Sequence, residues 1–253
     1  MVSEVDARFK ATTIGHADHR FCSPLSPEKA ARLVDLLDLP PGARVVDIGC
    51  GKAALLLDVL DRNPDATGVG VDLNAAFLDE GEVAAQARGL DGRVTLIDED
   101  ATLHLAQDDG FAAALCLGAS HALGDYGGLL ATAFAVLEPG GLLLAGEGYW
   151  RQQPHRSYLG VLGADEEDLS DHAGNAERAA RAGFEVLYTT TANPDEWDEY
   201  EGLYCRAKLR WAAANPHDPD AATIAADARR WHDAYLRWGR QTLGFGYYLL
   251  RRP

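Results

Sequence analysis

Asp47 stands two residues before Gly49 in the run Val45-Val46-Asp47-Ile48-Gly49-Cys50-Gly51-Lys52-Ala53-Ala54. Glycines spaced this way make a turn that lets the backbone approach a ligand closely, because neither carries a Cβ and both can take positive φ. The turn then aims the first N–H groups of a following helix at negative charge. Gly49-x-Gly51-x-x-Ala54 therefore fits the dinucleotide pattern, in which that charge is pyrophosphate. A carboxylate at Asp47 would face the same crevice and oppose a phosphate; it suits a ligand that brings positive charge instead. A second set of chemistry-bearing types, His16-x-x-His19-x-x-Cys22, has metal-ligating character. Structural zinc takes four ligands and no fourth follows at suitable spacing, so no metal is expected.

The elements that must position these groups follow from the hydrophobic pattern. Apolar, β-branched runs near 44–48, 68–73, 93–98, 112–117, 141–146 and 185–191 alternate with helical patterns, the signature of βαβ units and a parallel sheet. Ser26 and Pro27 start one helix, Asn74 another, and Pro139 and Gly140 stop the helix "YGGLLATAFAVL". After residue 192 the period changes. Segments 194–214 and 219–242 carry aromatic stripes, Trp197, Tyr200, Tyr204 and Trp211 on the first and Trp231, Tyr235 and Trp238 on the second. Such stripes predict a helical pair packed together, ahead of a last strand "GFGYYLLRRP". The expected organisation is one domain: a leading segment 1–25, a core 26–192, a helical cap 193–242 and a final strand 243–253.

A chain of 253 residues with 47% hydrophobic content can bury a substantial core, and its formal charge of −16 opposes binding that neutralises many phosphates. Nucleic acid is not an expected partner. The balance turns basic from Cys205 onward, which reads as a solvated helix face. Cys22, Cys50, Cys116 and Cys205 are scattered singly, as in a reduced cytoplasmic protein. The N-terminal residues lack the basic start and apolar run of a signal peptide, and no stretch approaches about 18 uninterrupted apolar residues, so no membrane association is expected. The pattern sets no oligomeric state.

Five landmarks in order carry a family resemblance. "VVDIGCGKAALL" resembles the first motif of class I S-adenosylmethionine-dependent methyltransferases, and "GVGVDL" their second, with Asp72 closing strand two. "LIDEDA" is similar to their strand-three end, "LCLGASHAL" to the strand-four end, and "LEPGGLLLAGEGYW" to the turn into strand five. The resemblance implies a Rossmann-like α/β fold: a doubly wound, mostly parallel seven-stranded sheet with an antiparallel C-terminal strand and a two-helix cap inserted before it. It implies S-adenosylmethionine as cofactor, bound by Asp47, Gly49, Cys50, Gly51, Asp72, Leu73, Asp100, Ala101, Leu117 and Gly118. Asp72 would hold both ribose hydroxyls, and Asp100 with the backbone of Ala101 would touch adenine. The third glycine of the family pattern is Ala53 here, a departure at a position where the helix packs near strand and ligand.

Methyl transfer is an in-line displacement that needs alignment and exclusion of water more than a dedicated base. The acceptor should lie over the ends of strands four and five. His121, in the loop after strand four, is the candidate base or acceptor-orienting group. Glu147 and Tyr149, ending strand five, are expected to project into the same mouth. By resemblance to methyltransferases with mobile N-terminal segments, His16, His19, Arg20 and Phe21 form a lid, the alternative being an ordered leader packed on the sheet, with Trp150 also placed among substrate or lid residues. A small organic metabolite is the expected acceptor. Two other classes stay open, a nicotinamide oxidoreductase of the same architecture and a non-catalytic S-adenosylmethionine-binding module.

Overall fold

The computed structural model describes residues 4–253, with side chains from residue 9 onward. Seven strands form one sheet: β1 (Arg44–Ile48), β2 (Thr67–Asp72), β3 (Val94–Asp98), β4 (Phe111–Leu117), β5 (Leu137–Trp150), β6 (Glu185–Thr191) and β7 (Leu243–Arg251). Their order is β3-β2-β1-β4-β5-β7-β6, with β7 antiparallel to both neighbours and β1 to β5 parallel. The chain winds outward in one direction from β1 and in the other from β4. A crevice must therefore open at the carboxyl ends of these two central strands, where ligands bind in doubly wound sheets. Val45, Val46 and Ile48 of β1 and Phe111 through Cys116 of β4 are buried, which is why both strands read as continuous apolar runs.

Helices cover both faces. On one lie α2 (Pro27–Asp35), α3 (Ala54–Arg62) and α4 (Ala75–Ala87); on the other lie α5 (Ala101–Leu105), α6 (Tyr126–Val136) and α8 (His172–Arg181). The Ser26 hydroxyl accepts the Lys29 N–H at 3.2 Å with Pro27 in the first turn, as its sequence position predicts. β5 is longer than the expected 141–146. It begins at Leu137 opposite Phe111 and shifts register before Ala113 pairs with Leu142, a bulge that accommodates Pro139 without a ladder donor. Residues 151–184, for which the sequence pattern gave no element, hold α8 and a short α7 (Arg156–Leu162).

The cap between β6 and β7 consists of α9 (Pro194–Ala214) and α10 (Ala221–Ala234), the latter continuing through a wide turn at Tyr235–Gly239. A capping box starts α9: Asn193 accepts the Glu196 N–H at 2.9 Å and Glu196 accepts the Asn193 N–H at 2.8 Å. Trp231 Nε1 donates to Glu201 at 2.8 Å and Tyr235 to Asp198 at 2.6 Å, so part of the aromatic stripe does join the two helices. Tyr200 and Tyr204 instead turn toward His16 and His19.

The leading segment contains a helix the pattern did not reveal, α1 (Glu4–Gly15), lying along α9. Lys10 pairs with Asp218 and Asp220, each at 2.7 Å, and Arg206 with Asp18 at 2.6 Å. These pairs are part-exposed and contribute little each. The firmer tie is Lys52, 9% exposed, which donates to the carbonyls of His16 (2.9 Å) and His19 (3.3 Å) and pairs with Glu80 (2.7 Å). Lys52→Met is expected to leave those carbonyls short of a donor, at a cost of about 2 kcal/mol, and to speed proteolytic cleavage within residues 16–23. Cleavage at the wild-type rate would show that Lys52 does not fasten the segment.

Candidate active site

The turn after β1 is folded onto β2 by its own donors. The N–H groups of Gly49 and Cys50 both donate to the Val71 carbonyl, at 2.9 and 3.1 Å, and that of Gly51 donates to Asp72 Oδ2 at 2.8 Å. The first three donors of the turn are thus satisfied internally, which takes them away from any phosphate. Gly49 (φ +66°) has no room for a side chain, since a Cβ would fall 2.3 Å from that of Ala119. Ala53, where the family pattern has glycine, also takes left-handed φ (+55°) and is fully buried in the core. Its methyl packs inside the protein, and the departure costs about 1 kcal/mol of backbone strain.

Asp72 accepts from Gly51 through one oxygen and from the Asn74 N–H, at 2.8 Å, through the other. Each oxygen keeps a second lone pair. Burial raises the Asp72 carboxyl above its ordinary range while the backbone donors pull it back. Beside it opens a cleft of about 600 Å³ lined by Gly49, Gly51, Asp72, Leu73, Asp100, Ala101, Leu117, Gly118 and His121. Cys50 turns its sulfur toward Gly70 of β2 and lines a small adjoining recess of about 40 Å³ with Asp47. Asp47 is 5% exposed, and burial, then the charge of Asp72, pushes its carboxyl up to about 8. Lys52 borders the same recess, but its ammonium is committed to Glu80 and the two carbonyls. Asp47 is thus a buried carboxyl with no cation beside it among the described side chains. Asp100 caps α5, accepting from Thr102 at 2.8 Å and Leu103 at 3.3 Å, and so fixes the Ala101 backbone at the cleft.

A second cavity, of about 450 Å³, lies beyond the cleft between residues 19–28 and the start of α9. His19, Arg20, Phe21, Glu28, Glu199 and Tyr200 line it. Tyr200 and the segment 16–23 border both spaces and divide them. His19 donates through Nε2 to the Tyr200 carbonyl at 2.9 Å, and Arg20 pairs with Asp58 over the Phe21 ring. Among the described residues no group of three or more His, Cys, Asp or Glu is placed to hold a metal, and no helix is long and apolar enough to cross a membrane.

The methyltransferase-domain family matches residues 45–141, the span of these landmarks. The chain is 31% identical over 242 residues to the uncharacterized protein YjhP of Escherichia coli (strain K12), covering 94% of this chain and 96% of that one. The S-adenosylmethionine-dependent methyltransferase of Geobacter sulfurreducens, solved with S-adenosyl-L-homocysteine, is similar with a TM-score of 0.90 at 31% identity, over 96% of this chain and 98% of that one. A S-adenosylmethionine-dependent methyltransferase of Thiobacillus denitrificans, also solved with S-adenosyl-L-homocysteine, gives 0.88 at 31%, over 96% and 98%. The chain belongs to the class I S-adenosylmethionine-dependent methyltransferases. The nicotinamide alternative falls with that membership, in agreement with a glycine turn whose donors are already used.

Within this methyltransferase Glu147 reaches the turn of His121 through Ser120, while Tyr149 lies apart from both. His121 lies in a single turn, Ser120–Leu123, exposed at the rim of the cleft. Its neighbour Ala122 accepts from the Thr102 hydroxyl at 3.4 Å, which sets His121 at the Ala101 end. Glu147 and Tyr149 follow the alternation of β5 with Leu143 and Ala145 and face the α6/α8 side. Glu147 accepts the Gly148 N–H at 3.2 Å, and burial raises its carboxyl while the Ser120 side chain, next to His121, pulls it back. The Tyr149 ring lies 5.1 Å from that of His172. Trp150, expected near substrate or lid, packs in a separate cluster with Tyr158 and Ala234, its Nε1 donating to the Glu166 carbonyl at 2.8 Å. Strand five runs on through Trp150, so 147–150 are paired strand positions with fixed faces rather than the strand's open end.

Cleft residues not anticipated include Asn74 and Tyr200. Asn74 is 4% exposed and donates from Nδ2 to the Thr13 hydroxyl at 2.9 Å, tying the end of β2 to α1. It stands at the N-cap of α4, as its sequence position predicts, but its side chain makes no cap bond.

Proposed function

We propose that this methyltransferase transfers a methyl group to a small organic acceptor by in-line displacement. Bound S-adenosylmethionine supplies a methyl group on a positively charged sulfur that becomes neutral as the methyl leaves. Asp72, with two lone pairs left after its backbone bonds, is suited to both ribose hydroxyls. Asp47 suits the cationic amino-acid end, and Ala101 with Leu73 the adenine. The observation that carries this reading is the pair of carboxyl groups at the tips of β1 and β2, one with free lone pairs and one with no cation beside it, lining adjoining spaces.

The acceptor would enter from the 450 Å³ cavity, whose size suits a small organic molecule. The acidic chain disfavours nucleic acid, and its four free cysteines fit a reduced cytoplasmic setting. The leading segment acts as a lid, with residues 20–23 forming the wall that must move for the acceptor to meet the methyl group. His121 orients bound molecules at the Ala101 rim, while Glu147 and Tyr149 support the strand-five end from behind. The test is incubation of the protein with S-adenosylmethionine and a metabolite extract, followed by mass spectrometry. A compound heavier by one methylene should appear together with an equal amount of S-adenosylhomocysteine. Tight binding of both adenosyl ligands with no such product would favour a non-catalytic binding module.

A further inference from the structure

His16 and Tyr200 form a hydrogen-bonded pair that methyl transfer as described above does not use. His16 Nδ1 lies 2.9 Å from the Thr12 carbonyl, which can only accept, so the neutral ring carries its proton on Nδ1. Nε2 is then an acceptor, and the Tyr200 hydroxyl, 3.0 Å away, donates to it. Both side chains line the cofactor cleft, and Tyr200 also lines the adjoining cavity. The pair stands at the glycine-turn end of the cleft. Lys52 holds the His16 carbonyl there, and the Cα of Gly51 faces the sulfur of Cys22 in the same segment. His121 is at the other end.

In the resting protein, with the Nε2 lone pair held by the Tyr200 hydroxyl, the surroundings keep His16 neutral. Its ring centroid is 5.1 Å from that of His19, 4.9 Å from Tyr204 and 5.9 Å from Phe77. Burial lowers the imidazole to about 4, with His19, Lys52 and Lys208 adding to the effect and the Thr12 carbonyl opposing it.

We propose that Tyr200 and His16 are a proton relay that deprotonates the methyl acceptor, an inference that rests on the methyl-transfer reading and assigns the acceptor to alcohols, phenols, thiols or ammonium groups. The acceptor's X–H bond breaks and its electron pair stays on X, the atom that receives the methyl. The released proton bonds to Tyr200 Oη as the Tyr200 O–H bond breaks and that proton bonds to His16 Nε2. An imidazolium then stands in the enclosure that loses the sulfonium charge, so no new net charge is buried. The Nδ1–H bond to Thr12 strengthens as the ring charges. The proton passes to water when the product leaves.

Wild type, Tyr200→Phe and His16→Gln decide the matter. Gln at 16 can still accept a hydrogen bond from Tyr200, so it keeps a latch between α1 and α9 but cannot take a proton. Nitrogen-15 NMR of the ring, with and without S-adenosylhomocysteine, should find His16 Nε2 unprotonated down to about pH 5; a proton on Nε2 at neutral pH would overturn the relay. With the acceptor found in the metabolite screen, both variants should lose about 100-fold in kcat, with S-adenosylhomocysteine affinity held within about threefold. Their rates should rise with pH where that of the wild type is flat. Wild-type turnover in either variant, or parallel loss of kcat and ligand affinity with an unchanged pH profile, would reduce the pair to a latch. An extract in which the wild type methylates nothing would overturn the methyl-transfer reading and the relay with it.

Discussion

Asp72→Ala is expected to weaken S-adenosylhomocysteine binding by about 100-fold or more in calorimetry. Two charge-assisted bonds to the ribose hydroxyls would be lost, each contributing about 1.5 to 3 kcal/mol, and the hydroxyls would be left unpaired. The same carboxylate anchors the N–H groups of Gly51 and Asn74, so the mutation also loosens the turn that shapes the cleft. Asp72→Asn separates these effects. Its amide oxygen can replace one backbone anchor while the charge is gone, and an intermediate loss is expected. Affinity within threefold of wild type in the alanine variant would remove Asp72 from the ligand.

The second large effect is a coupling between ligand and proton at Asp47. Burial and the neighbouring Asp72 charge hold this carboxyl up to about 8, so in the unliganded protein it is mostly protonated at pH 7. A cation in the recess favours the ionised form. Binding should therefore release close to one proton at pH 7, seen as a dependence of the calorimetric heat on the buffer's ionisation enthalpy. Affinity should rise by about tenfold per pH unit approaching pH 8 and then level off. The sign for stability is opposite. The folded protein keeps the proton up to about 8 while the unfolded chain loses it near 3.8. This group's contribution to stability is full below 3.8 and is lost as pH rises through about 8. Asp47→Asn should flatten that part of the unliganded melting profile and abolish the proton release. Release of one proton in the Asn variant would assign it to another group.

What the sequence disclosed was local. Val45 to Gly51 carry strand, turn and carboxylate within one short run, and Asp72 closes the next strand, so no distant contact is needed to see them. The capped start of α2 is local in the same sense. Tyr200 was visible only as one member of an aromatic stripe. Periodicity tells which side of a helix is apolar, but not that the turn after α1, far away in the chain, supplies His16 to cover it. Glu147 shows the related limit for strands: which face a side chain takes depends on strand extent and on the bulge against β4, both set by tertiary pairing. α7 is short, and in α8 the apolar face is made of alanine alone, so neither stands out as a hydrophobic run. Ala53 is a local conflict, a non-glycine residue held at positive φ because the surrounding core fixes the turn.

A crystal structure of the complex with S-adenosylhomocysteine tests the electrostatic core of this account most directly. Both ribose hydroxyls should lie within hydrogen-bond distance of the Asp72 carboxylate, and the ligand's amino group should enter the recess against Asp47. A ribose bound away from Asp72, or an Asp47 carboxylate that meets no part of the ligand, would contradict it.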